Sequence, residues 1–288
     1  MNELFLFPFT DFGFMRRALL ACCVLSISAA PVGVMLMLRR MSLIGDAMSH
    51  AILPGVAVGF FTAGLSVGAM TLGGLIAGCL VAILAMLVAR STSTSEDGHM
   101  AAFYLISLSL GVLIISVAGT PADLMQVLFG SLLALDTGAL YLLSAAATTT
   151  LFLFAAFYRT LVYECFDSTF MRLQGPWGVA SQFVFLILVV VNLVAGFHAL
   201  GTLLSVGLLI LPAVCARFWV ERLEHLLVVA ILIAMICSVA GLLISFHFDV
   251  LSGPLIVFLL GLAYLLSVVF GFRQGIVQRL RKQPHLEA

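Results

Sequence analysis

Apolar residues occupy this chain in long uninterrupted blocks, not in the alternating or one-faced patterns of soluble strands and helices. A membrane-spanning helix needs roughly 20 predominantly apolar residues. Blocks of about that length fall at 18–38, 43–62, 67–89, 100–118, 138–158, 177–197, 200–216, 225–246 and 254–272. The pattern predicts an all-α polytopic membrane bundle of eight or nine transmembrane helices. The second block is short and carries polar residues, so it is expected to be broken or to cross incompletely. Residues 1–17 are aromatic-rich and read as an external or interfacial lead-in to a single transmembrane domain over 18–272. Residues 273–288 form a basic tail. The segment 122–133 is apolar but too short to span, and reads as re-entrant or interfacial.

Composition sharpens this. The chain is 63% hydrophobic and 9% charged, against about 45–50% apolar and about 25% charged in soluble domains. The solvent for that apolar surface is lipid. Glu3 and Asp11 precede the first basic pair, unlike the start of a cleavable signal peptide. Six cysteines lie mostly inside apolar blocks, with no C-x-x-C among them, and read as packing residues. A net charge of zero argues against a nucleic-acid partner.

Orientation follows from the Lys and Arg bias. With the N-terminus outside, inner segments hold Arg39, Arg40, Arg90, Arg159, Arg172, Arg217, Arg222, Arg273, Arg279, Arg281 and Lys282, leaving only Arg16 and Arg17 outside. The C-terminus is then cytoplasmic, and the longest inner loop before it is 159–176. Glu3, Asp11, Asp123, Asp136 and Asp249 lie on the outer face, where they either concentrate cations or simply solvate loops. Glycines four apart, Gly55/Gly59, Gly64/Gly68 and Gly74/Gly78, suit close helix packing in lipid and say nothing about substrate.

The chemistry concentrates in 39–55, Arg-Arg-Met-Ser-Leu-Ile-Gly-Asp-Ala-Met-Ser-His-Ala-Ile-Leu-Pro-Gly. Asp46 and His50 are four apart and project from one helix face. A charge at membrane depth costs at least about 2.5–3.5 kcal/mol, so such residues face a path or a partner. One carboxylate and one imidazole supply half a ligand set for a first-row divalent metal, which two copies of the helix across a dimer axis would complete. Pro54 should kink the helix one turn later and free the His50 carbonyl. The plainer alternative is that Asp46 caps the helix start and His50 donates to a nearby carbonyl. His198 is expected at the outer boundary, and His247 with Asp249 in an outer loop. Asn192, Gln182 and Gln126 read as interhelical hydrogen-bond partners, and His99, His225 and His285 carry no assigned role.

Lys282 is the only lysine and is followed by Gln283, so a phosphate-binding loop G-x-x-x-x-G-K-[ST] is absent. Neither G-x-S-x-G nor H-E-x-x-H occurs. Any ATP hydrolysis would therefore have to sit on another polypeptide. The inner segment 163–176 reads as one short helix, capped by Asp167 or Ser168 and stopped by Gly175 and Pro176. Its apolar stripe of Phe166, Phe170 and Leu173 suits a groove on a partner protein or the membrane surface.

These residues together resemble the permeases of ABC transporters for zinc, manganese and iron. The resemblance covers nearly the whole chain and is carried by 38–55, by Glu96-Asp97, Leu128-Phe129-Gly130-Ser131, Phe166-Asp167 with Phe170, Arg172 and Gly175, Leu209-Ile210-Leu211-Pro212-Ala213, and 249–254. It implies a homodimer or pseudo-dimer of permeases in a bacterial inner membrane, two cytoplasmic ATPase subunits and an extracytoplasmic solute-binding protein. It places Asp46 and His50 in the translocation path, and Phe166, Asp167, Phe170, Arg172 and Gly175 on the coupling helix that docks on the ATPase. Family members usually carry Pro-Glu after Phe-Asp. Here Ser168 and Thr169 stand instead, which puts one salt bridge to the ATPase in doubt. The expected activity is metal uptake without a permanently bound cofactor and without enzymatic chemistry. Imidazole favours zinc among the candidate ions. A proton-coupled secondary cation transporter is the alternative, since histidine titrates near neutrality.

Overall fold

A computed structural model describes residues 8–64, 66–91, 96–118, 135–166, 176–273 and 275–277. Among the described residues the fold is helical and contains no strand. The main helices are α1 (Gly13–Leu38), α2 (Ser42–Ala51), α3 (Leu53–Ala63), α4 (Val67–Ser91), α5 (Glu96–Ala118), α6 (Thr137–Phe166), α7 (Pro176–Leu200), α8 (Thr202–Arg217), α9 (Leu223–Phe248) and α10 (Ser252–Phe270). Every apolar block became helix, because in hydrocarbon only intrasegment hydrogen bonds satisfy each N–H and C=O. The second block is indeed broken: α2 and α3 meet at Ile52.

Turn chemistry sets several boundaries. Asp136 caps α6, its Oδ1 accepting the Ala139 N–H at 2.6 Å. Gly201, at φ 86°, makes the one-residue turn between α7 and α8, a conformation that side chains resist. Some boundaries differ from the sequence reading. The first spanning helix starts at Gly13, and Met15 within it is fully buried, so the lead-in expected over 1–17 already belongs partly to the bundle. His247 lies in the last turn of α9, not in a loop, with Nδ1 2.8 Å from the Leu243 carbonyl, and Asp249 follows in the left-handed region. The inner loop expected from Arg159 is helix as far as Phe166. Thirty residues make about 45 Å of helix, longer than the roughly 30 Å hydrocarbon core. Tyr163 to Phe166 are thus the end of a spanning helix, not the start of a separate short one.

Helix α1 is central. It packs on α6, α7, α8 and α9, and its buried residues run almost unbroken from Ser28 to Leu36. At Gly33 the α8 backbone comes so close that a Cβ would overlap the Leu209 carbonyl. The hairpin of α3 and α4 is joined the same way, Gly55 against the backbone of Gly73 and Gly59 against Ala69 and Met70. Backbone approach of this kind replaces the missing hydrophobic drive between helices in lipid. Not every glycine pair serves it: Gly64 ends α3 at φ 63°, and nothing lies within 4 Å of a Cβ at Gly68. Gly78 does, facing Ile52 and Val190. Asn192 donates to Thr150 Oγ1 at 3.0 Å, tying α7 to α6 as its sequence setting suggested. The six cysteines are unpaired.

Contacts between helix ends fix the relative sense of the spans. Phe12, before α1, stacks against Phe246 near the end of α9, with ring centroids 5.3 Å apart. At the other end of α1, Met37 and Leu38 cluster with Ala216, Val220 and Leu226. There the Arg273 N–H also bonds the Phe218 carbonyl at 3.0 Å, joining the ends of α8 and α10.

Gly33 offers a direct check on the central crossing. Gly33→Val should separate α1 from α8 and cost at least the 1–3 kcal/mol typical of overpacking. The expected result is a clearly lowered melting midpoint and yield in detergent, while Gly68→Val leaves both near wild type.

Candidate functional site

The site begins where α1 reverses into α2. Arg39 N–H bonds Met35 O, Arg40 N–H bonds Met37 O and Met41 N–H bonds Leu36 O, each at 3.0 Å. Arg40 takes φ 60°, left-handed for a non-glycine residue. This tight turn launches α2 at Ser42, so Asp46 stands in the second turn and is not the helix cap.

Helix α2 has two faces. Ile44, Ala47, Met48 and Ala51 point into the bundle, and Gly45 lies against the side chains of Leu209 and Ile210 on α8. Leu43, Asp46 and His50 form the opposite stripe. Leu43 is 85% exposed, and the side chains of Asp46 and His50 are 64% and 42% exposed on the single chain. Asp46 Oδ1 and His50 Nε2 are 3.9 Å apart, close enough to share an ion and too long for a direct hydrogen bond. Among the described residues no group of three or more His, Cys, Asp or Glu side chains is assembled to hold a metal. One chain therefore presents a carboxylate and an imidazole side by side, on a face that its own fold leaves open.

The break beyond His50 is supported from α5. Helix α3 restarts at Leu53 with Pro54 in its first turn, where a missing N–H costs least. The Ile52 N–H bonds Met48 O at 3.3 Å, and the Ser107 hydroxyl donates to the Ala51 carbonyl at 2.8 Å. Gly111 leaves room for this junction: a Cβ there would sit 3.1 Å from the Pro54 nitrogen. The expected kink is present: Ile52 keeps helical dihedrals and stays bonded to Met48, the ladder is interrupted for a turn, and a neighbouring helix satisfies part of the freed backbone. Ser107 gave no signal in the sequence, being one serine in an apolar run.

Phe166 is 75% exposed at the end of α6. Asp167, Phe170, Arg172, Gly175 and the segment 122–133 lie outside the described residues. His198 sits in the last turn of α7, Nδ1 3.0 Å from the Val194 carbonyl.

Sequence reasoning missed a second polar cluster. Arg39, read as a solvated loop residue beside Arg40, turns inward while Arg40 stays exposed. Its Nη2 lies 2.7 Å from Glu164 Oε2, with both side chains under 10% exposed. The Ser181 hydroxyl donates to the same carboxylate oxygen. The guanidinium carbon stands 4.0 Å from the centroid of Phe185. The doubled arginine was the available signal, since two loop cations in tandem need not face the same way.

The chain resembles known proteins over nearly its full length. The model of the ABC 3 transport family matches residues 11–271. The manganese import system permease protein ScaB of Streptococcus gordonii is 30% identical, over 93% of this chain and 95% of that protein. The zinc transport system membrane protein TroC of Treponema pallidum is also 30% identical, over 94% and 93%. Among solved structures, PsaBC from Streptococcus pneumoniae in complex with Fab superposes with a TM-score of 0.81 at 30% identity, covering 97% of this chain and all of that one. The nine apolar blocks, the broken second span and this end-to-end match lead to one conclusion: the chain belongs to the ABC 3 transport family, as a membrane permease and not an enzyme.

Proposed function

We propose that this chain carries a divalent first-row metal ion into the bacterial cytoplasm, as one of two permease copies that face each other along α2. The observation that carries the reading is the outward stripe of Asp46 and His50. In lipid that face would cost several kcal/mol, whereas against a second copy it brings together two carboxylates and two imidazoles. Such a set suits zinc and manganese(II) alike, and relatives are named for each. The imidazole share favours zinc.

Direction and energy follow from the family and the charge bias. The N-terminus faces outside and the arginine-rich ends of α1, α6, α8 and α10 face the cytoplasm. A solute-binding protein delivers the ion to the outer ends of the helices. Two ATPase subunits engage the segment that begins at Phe166 and includes Asp167, Phe170, Arg172 and Gly175. ATP binding there moves the bundle between outward and inward access. The ion must also leave, so the four-ligand set holds it transiently.

Reconstitution with the cognate ATPase and binding protein tests this. Asp46→Ala and His50→Ala should each lower metal uptake by more than the roughly 10–100-fold lost when a ligand's supporting contacts are removed. ATPase and permease should still co-purify. Wild-type uptake in both variants would refute the site.

Metal titration of the purified permease gives a second check, with one ion expected per two chains. Stimulation of ATP turnover by zinc over manganese would support the imidazole argument, and the reverse would assign manganese. The permease alone should hydrolyse no ATP.

A further inference from the structure

The Arg39–Glu164 pair asks for an explanation that stability does not provide. Removing two charges from water is expensive, and a buried ion pair often does no better than apolar residues of the same volume. What such a pair does supply is a fixed geometry, because either charge alone would be far costlier than the pair. Here the geometry is set by close contacts more than by directed hydrogen bonds, since Arg39 Nε and Nη2 are buried without a hydrogen-bond partner among the described residues. Arg39 meets Glu164 at 2.7 Å, the Ser181 hydroxyl fixes the carboxylate, and the Phe185 ring lies under the guanidinium. Cys165 adds a contact, its Sγ 3.5 Å from Met35 Sδ.

The position of this cluster matters more than its strength. Arg39 is the residue on which α1 ends, and α2 with Asp46 starts three residues later. Glu164 lies on the last turn of α6, two residues before Phe166. Ser181 and Phe185 lie on α7, on the far side of the segment 167–175. One ion pair therefore joins the root of the ligand-bearing helix to both helices that flank the inner segment. Opposite it the turn is stiff: Arg40 is held left-handed by backbone hydrogen bonds on either side. A displacement of the α6 end reaches α2 through this link and a short, constrained turn.

We infer that Arg39 and Glu164 are positioning residues for transport: they transmit movement of the α6 end to the Asp46/His50 helix, so that ATP turnover and change of access stay in step. The inference rests on the reading that the ATPase engages the chain from Phe166 onward.

The test uses the full complex of permease, ATPase and binding protein in liposomes, with uptake and ATP hydrolysis measured together. Arg39→Met/Glu164→Gln removes both charges, keeps similar volume and leaves Ser181 an acceptor, so the bundle should assemble. The expected result is ATP turnover within about twofold of wild type, with uptake per ATP lowered by about tenfold or more, the size of a typical intersite coupling. Arg39→Lys, which keeps the charge, should recover part of that ratio. A wild-type ratio in the double variant overturns the inference. So does a double variant that fails to assemble, since the pair would then be structural. Phe166→Asp tests the supporting reading by itself: ATPase that stays bound to this variant at wild-type affinity refutes docking there and leaves the measured ratio to be explained otherwise.

Discussion

A charge buried among apolar helices has to be answered by something other than water, and the architecture follows from how each such charge is answered. Arg39 and Glu164 are answered within the chain, by each other, by a hydroxyl and by an aromatic face. Asp46 and His50 lie 3.9 Å from each other on a face that the described residues leave open. One pair is enclosed and the other open, with only a short turn between them. Serine and threonine hydroxyls elsewhere bond mostly to carbonyls of their own helices, as at Ser26, Ser205 and Thr71, and so raise no comparable demand.

The framework is a matter of backbone proximity as much as of side chains. Lipid tails are as apolar as leucine, so burial of apolar area gives helices no reason to associate. This chain substitutes contact at glycine: Gly33 under α8, Gly55 against Gly73, Gly59 against Ala69. Larger residues then fill the remaining space, with Phe185, Phe197 and Met35 fully enclosed. Helices α6 and α10, with few buried positions, form the lipid-facing periphery.

The spans were legible because length and apolarity alone decide what can cross hydrocarbon. The broken second span could be anticipated too, from its polar residues and Pro54. Helix ends were less legible. Gly13–Phe14 and Tyr163–Phe166 look like interface or loop in sequence, and are helical as continuations of long spanning helices whose backbone ladder runs on past the apolar block. The i, i+4 spacing of Asp46 and His50 gave their common face correctly, but not whether that face points inward or outward. That depends on where α8 packs, through Gly45 against Leu209 and Ile210. The Arg39–Glu164 contact was legible only as far as the doubled arginine: the tandem hints that one may turn inward, but its partner is far away in sequence and not named by anything local.

The discontinuity at Ile52 divides one crossing into two pieces with different attachments. The second piece, α3, is joined to α4 by close backbone approach at Gly55, Gly59 and Gly73. The first piece, α2, packs on α5, α7 and α8, with the Ser107 hydroxyl on the Ala51 carbonyl. The joint lies one turn beyond the Asp46/His50 stripe, so the polar stripe and the glycine-packed hairpin, though parts of one span, are anchored chiefly to different neighbours.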